Sequence, residues 1–146
     1  MNFIDTYTTF YTEKPKRTPA NNTPDGALAG NGDIGLVLGG KPNDLDLYIS
    51  KIDAWNVPTA ENEDDRTPGG LSPVAILKIL MPTFYFSDYY VEQRMKNGEI
   101  YCRFNDGTCT AEIRAFACAC ENTVIIEMKF TGARGSHSLH LTQPPE

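Results

Sequence analysis

Apolar and polar residues alternate along most of the chain. Ile34, Leu36 and Leu38 alternate with Gly35, Val37 and Gly39, and Leu45, Leu47 and Ile49 alternate with Asp46, Tyr48 and Ser50. A period of two over both runs predicts strands with one buried face. Lys41-Pro42-Asn43-Asp44 between them is turn chemistry, so the runs are expected to pair as a hairpin. Gly30-Asn31-Gly32 leads into the first strand with residues that tolerate positive φ. Further on, Val124, Ile126, Met128 and Phe130 repeat the pattern, with Glu127 and Lys129 outward. Gly132–Ser136 turns the chain into a last strand at Leu139 and Leu141. Leu71 to Phe86 is different, being apolar at successive positions; Pro73 and Pro82 bracket β-branched residues there. This run reads as a central strand buried on both faces.

Two short turns make the middle of the chain self-consistent. Asn97-Gly98 is a strong hairpin signal that favours a type I′ turn. A two-residue loop there pairs Met95 with Ile100, Arg94 with Tyr101, Gln93 with Cys102, and Glu92 with Arg103. Lys96 then meets Glu99, and Val91 meets Phe104. Asp106-Gly107 in turn pairs Phe104 with Cys109, Cys102 with Ala111 and Ile100 with Ile113. On the reverse face Tyr101 meets Glu112, Arg103 meets Thr110, and Glu99 meets Arg114. Apolar pairs share one face and opposite charges share the other, and a slip of one residue would destroy both sets. Phe116, Cys118 and Cys120 fall on the face opposite Ile113, which predicts a bulge or bend near residue 115.

Residues 1–29 are rich in Thr, Pro and Asn and read as an extended lead-in, with a strand as the alternative at 6–12. Pro15, Pro19 and Pro24 exclude a long helix there. Glu61, Glu63, Asp64 and Asp65 crowd a segment that lacks the spacing and glycine of a calcium-binding loop, so a solvated loop is expected. At least seven strands with turns every 8–12 residues and no helix predict an all-β fold, an antiparallel β-sandwich over residues 30–146.

Composition narrows the function. The chain has 146 residues, 40% hydrophobic and 10% aromatic, enough for one core. A formal net charge of −6 argues against a nucleic-acid surface, which would be basic. No apolar run reaches the roughly 20 residues of a membrane span. Met1–Asp5 has neither the basic nor the apolar part of a secretory signal, which points toward the cytoplasm. Cys102, Cys109, Cys118 and Cys120 fit no zinc spacing and are expected to be buried or half-buried free thiols. In the predicted register Cys102 and Cys109 are diagonal, which disfavours a disulfide. His137 and His140, three apart in a strand, point to opposite faces and make no metal pair. No dinucleotide or phosphate motif is present, since no helix follows Gly30–Gly35. The sequence points to no cofactor.

One stretch carries a family resemblance. Gly30, Asn31, Gly32, Asp33, Ile34 and Gly35, followed across the hairpin by Lys51, Asp53 and Trp55, resemble the N-terminal domain of family 95 glycosidases, the α-L-fucosidase-like enzymes. They also resemble a related, uncharacterised N-terminal domain of similar enzymes. Leu28-Ala29 replaces the Pro-Leu usual before the glycines. The resemblance covers roughly residues 25–142. It implies a large β-sandwich of which this chain supplies the first part, ahead of an α/α-barrel catalytic domain that carries the chemistry. The expected partners are that barrel and an oligo- or polysaccharide, and no catalytic residue is expected in this chain.

Hydrolysis of a glycoside needs two carboxyl groups about 5–5.5 or 6.5–9.5 Å apart. Glu92 and Glu112 have basic or aromatic partners in the predicted register and read as surface pairs. Asp33 and Asp53 sit at strand ends beside Gly32 and Trp55. If the hairpin forms, Asn31, Asp33, Asp53 and Trp55 share one rim, the best candidate for contact with a sugar or a barrel. Trp55, the only tryptophan, offers a stacking face; packing in the core or at a domain interface is the structural alternative.

Overall fold

A computed structural model describes residues 3, 7–19, 23–56, 70–132 and 135–143. The strands are β1 (Thr8–Tyr11), β2 (Leu28–Gly30), β3 (Ile34–Lys41), β4 (Asp44–Asn56), β5 (Gly70–Leu80), β6 (Val91–Arg94), β7 (Glu99–Asn105), β8 (Cys109–Ala117), β9 (Val124–Gly132) and β10 (Ser138–Thr142). They form two five-stranded antiparallel sheets, β1-β6-β7-β8-β9 (sheet A) and β10-β5-β4-β3-β2 (sheet B). The fold is the expected antiparallel β-sandwich. The acidic stretch Glu61–Asp65 lies outside the described residues.

The β3–β4 hairpin forms as its alternation predicts. Lys41 pairs with Asp44 around Pro42-Asn43, and Ile34, Leu36, Leu38, Leu45 and Leu47 are buried. Gly40 sits at φ +84, and a Cβ there would run into the Asp44 carbonyl oxygen, so this turn needs glycine. Across the core, sheet A contributes Val91, Ile100, Cys102, Phe104, Ala111 and Ile113. Val124, Ile126, Met128 and Phe130 of β9 pack on the same core from its edge.

The two hairpins of sheet A keep their predicted faces and change their register. Gln93, not Met95, pairs with Ile100, and Ala111, not Cys109, pairs with Phe104. Each register moves by two residues, so Ile100, Cys102, Phe104 and Cys109 stay inside, whereas Met95, expected on the buried side, falls in the loop and is exposed. A type I′ turn needs positive φ at both central residues. Among the described residues only glycines take positive φ: Gly98 at +62 and Gly107 at +93, with Asn97 and Asp106 on the ordinary side. The loops therefore lengthen. In the second, the Asp106 carboxylate accepts from the backbone N–H of Thr108 and of Cys109. Two charged contacts survive as diagonals: the Tyr101 hydroxyl donates to Glu112 at 2.9 Å, and Arg114 donates to Glu99 at 2.6 Å.

Other expectations change. β8 pairs with β9 without interruption from Cys109 to Ala117, so no bulge occurs near residue 115; Phe116 faces outward and Ala115 inward. The apolar run at 71–86 splits. β5 ends at Leu80, and a 3-10 turn at Pro82–Phe84 drops Met81 and Phe84 into the core and leaves Phe86 on the surface. β5 buries only one face, because in a two-layer sandwich each sheet has the other on one side only. The lead-in contributes β1 to sheet A and β2 to sheet B. The cysteines are free, Cys102 and Cys109 buried and Cys118 half-buried, whereas Cys120 is exposed.

The sheets are offset. β2, the edge of sheet B, packs against β7 and β8, and β3 packs against β8. The opposite edge of sheet B therefore runs past β9. Leu139 and Leu141 pair with Ile79 and Leu77 and share their inward face, yet they are 52% and 70% exposed.

Candidate functional site

The rim expected from the hairpin forms at one end of sheet B. Gly30, Asn31 and Gly32 turn β2 into β3, with Gly32 at φ +95. The Asn31 side chain makes this turn and ties it down. Its Oδ1 accepts from the backbone N–H of Asp33 (2.9 Å) and of Ile34 (2.7 Å), and its Nδ2 donates to the Cys118 carbonyl at 2.7 Å. Cys118 follows the end of β8, so Asn31 joins the two sheets. Its amide is committed to the fold, which accounts for an Asn between two glycines at this place.

Asp33 and Asp53 come together through a third residue. Ile34 pairs with Lys51, and the Ile52 N–H donates to the Asp33 carbonyl at 2.9 Å. Lys51 Nζ thereby reaches Asp33 at 3.2 Å and Asp53 at 2.7 Å. The hydrogen bond from Lys51 holds the Asp53 carboxyl below the usual range, and its bonds to Asp53 and Asp33 raise Lys51. A general acid in glycoside cleavage needs the opposite, a carboxyl that keeps its proton. The pair is a clamp on an ammonium group, suited to accepting hydrogen bonds from hydroxyls or meeting a cationic partner.

Trp55 stands at the same end and is 62% exposed, its indole N–H donating to the Ile52 carbonyl at 2.9 Å. The core-plug reading of Trp55 is thereby overturned. Ile52 is also exposed, at 57%, so the rim joins two apolar surfaces to two carboxylates. Between Ser50 and Trp55 the pairing of β4 with β5 shifts register, which frees this stretch from the sheet on one side.

The remaining candidates behave as surface groups. Glu92 binds Arg94 and the Tyr90 hydroxyl, and Glu112 accepts from Tyr101. His137 stacks on Phe130, with ring centroids 4.7 Å apart, while His140 bonds Ser138, so the histidines do not meet. No cluster of three or more metal-ligating side chains occurs among the described residues, and none of their helices is long and apolar enough to cross a membrane.

The Glu99–Arg114 contact was expected, but the burial of Glu99 and its second arginine, Arg94, escaped the sequence reading. Glu99, 2% exposed, lies on the outer face of sheet A beneath Arg94 and Arg114. The expected partner Lys96 is in the loop and takes no part. The available signal was two arginines at outward positions of neighbouring strands, which together can cover one carboxylate. No protein-family model matches the chain, and no curated protein matches its sequence.

Proposed function

We propose that the chain is a non-catalytic β-sandwich domain of a glycosidase-type carbohydrate-active enzyme, docking on an α/α-barrel catalytic domain and shaping the approach to it. The observation that carries this reading is the offset of the sheets. It leaves inward-facing Leu139 and Leu141 exposed on the edge of sheet B, past the last strand of sheet A among the described residues. Apolar area of this kind is stabilised by about 25 cal/mol per Å² when a partner covers it. The Gly30–Trp55 hairpin supports the family assignment through its resemblance. The Lys51 clamp supports a contact role over a catalytic one.

The exposed Trp55 beside Asp33 and Asp53 favours a second reading, a stand-alone carbohydrate-binding sandwich. Three measurements separate the readings. Purified protein should release no aryl group from aryl α-L-fucosides or aryl galactosides; turnover abolished by one carboxylate substitution would overturn the non-catalytic assignment. The reading frame downstream of Glu146 should encode a helix-rich region. In that longer protein Leu141→Asp should lower the melting temperature by several degrees, while in the 146-residue chain it should change little. A stop codon with no barrel gene nearby would sink docking, and fluorescence quenching of Trp55 by neutral oligosaccharides would then favour the second reading.

A further inference from the structure

The outer face of sheet A, opposite in the fold to the uncovered edge of sheet B, carries a second feature. A groove of about 540 Å³ lies over β6, the residues before it, and β7. Its floor alternates outward from both strands: Asp88, Tyr90, Glu92 and Arg94 on one side, Tyr101, Arg103 and Asn105 on the other. Phe10 of β1 extends the aromatic surface, its ring centroid 6.3 Å from that of Tyr90.

Most of the charges here are satisfied. Glu92 accepts from Arg94 and from the Tyr90 hydroxyl, each at 2.6 Å. Arg94 also binds buried Glu99 and lies over the Tyr101 ring, 3.8 Å from its centroid. The Tyr101 hydroxyl is held by Glu112. These bonds fix two rings in place. Arg103 lies across from Tyr90, to whose carbonyl its backbone N–H donates at 3.0 Å, and two residues from Tyr101 on the same strand face. Among the described residues its guanidinium has no hydrogen-bond or ion-pair partner, and neither does the Asp88 carboxylate.

A planar guanidinium presents a fork of N–H donors that matches a carboxylate. Fixed aromatic faces beside it suit a ring with C–H groups on one side and hydroxyls at its edge. Asp88 lies one step beyond Tyr90, near Asn105 and on the Arg103 side of the groove, and supplies an acceptor for hydroxyls at that end. The net charge of −6 repels a polyanion, so one negative group per ligand is the better match. We infer that this groove binds an oligosaccharide bearing a single uronic acid, with Arg103 on its carboxylate and Tyr90 and Tyr101 beside its rings. The inference rests on the carbohydrate reading for the ring chemistry, but not on docking to a barrel.

The test uses matched probes: glucuronosyl-xylose and galacturonosyl-rhamnose, each beside the same disaccharide with its carboxylate reduced to a primary alcohol. Binding is followed by backbone amide NMR shifts on the full 146-residue chain. At least one acid should bind tenfold or more tighter than its reduced form, with shifts centred on residues 88–94 and 101–105. Arg103→Ala should abolish that preference, Arg103→Lys should keep part of it, and Tyr90→Ala should weaken both forms. Glu121→Gln, in the exposed turn between β8 and β9, should leave the affinity unchanged, and no barrel takes part in the measurement, so failure of the docking reading would not be mistaken for failure here. No binding of either acid at 20 mM would overturn the inference. So would equal binding of acid and alcohol, shifts centred on Trp55, or competition by acetate at the same concentration as by the disaccharide.

Discussion

Glu99 shows how one side chain organises the outer face of sheet A. Burial raises a carboxyl's pKa, but here hydrogen bonds from Arg114, Arg94 and Asn97 outweigh it and hold Glu99 below its ordinary value near 4.5. Both arginines keep partial contact with water, so the network costs less desolvation than a fully enclosed triad. Replacing Glu99 with Gln should destabilise the protein at pH 7 by about 2–3 kcal/mol, somewhat less than the 3–5 kcal/mol typical when a deeply buried pair is broken. The pH dependence follows from the direction of the shift. A lowered folded-state pKa contributes stability above the unfolded value, and that contribution is lost as pH falls through the folded value. Urea unfolding of the native protein and Glu99→Gln should therefore show a gap at pH 7 that shrinks below pH 4.5. A gap unchanged at pH 3 would mean that packing, not charge, makes Glu99 important.

At the level of the hairpins, two energies of different size decide the register. A slip of one residue in β7 would turn Ile100 and Phe104 into water, at about 1.5–3 kcal/mol each. Burial therefore fixes which face points inward, and that face was legible in the alternation. A slip of two residues keeps every face, so burial is silent about it. The choice then passes to the turn, where αL geometry costs a non-glycine residue about 1–2 kcal/mol. Asn97 and Asp106 avoid that cost by giving way to longer loops, a preference that the Asn-Gly and Asp-Gly pairs alone did not reveal. Tyr101–Glu112 and Glu99–Arg114 persist because long side chains span a diagonal as readily as a direct pair. Glycine substitutions can verify the turn account. Gly98→Ala meets nothing within 4 Å and should cost only the αL penalty, about 1 kcal/mol. Gly40→Ala also drives a Cβ into backbone of the β3–β4 turn and should cost at least twice as much in thermal or urea unfolding. Equal losses would show that the β3–β4 turn can relax.

For the molecule as a whole, the rim was readable because it depends on one hairpin: Ile34 pairing with Lys51 brings Asp33 and Asp53 together. The Lys51 clamp needs only that cross-strand pairing, which brings Asp33, and the i, i+2 spacing of Lys51 and Asp53 on one strand. The groove around Arg103 was not readable, since it requires the two-residue shift of β6 on β7 and the place of Phe10 beside Tyr90. The exposure of Leu139 and Leu141 depends on how far one sheet slides over the other. Strand periodicity contains no term for that offset.

The strand order also has a consequence in time. β2 to β5 and β6 to β9 each follow one another in sequence and in their sheet, so each half is a local meander, with residues 57–69 as the one long link, between β4 and β5. The exceptions are the ends: β1 crosses to β6, pairing Thr8 with Arg94, and β10 crosses back to β5, pairing Ser138 with Leu80. Distant pairing carries the larger loop-closure entropy and is repaid only once its template exists. The two meanders should thus gain amide protection first during refolding, and the terminal strands should latch afterwards, each onto the half made by the other end of the chain. Pulse-labelled hydrogen exchange would show this as late protection confined to residues 8–11 and 138–142. Early protection there, at the same rate as β3 and β8, would mean that the sandwich instead condenses in a single step.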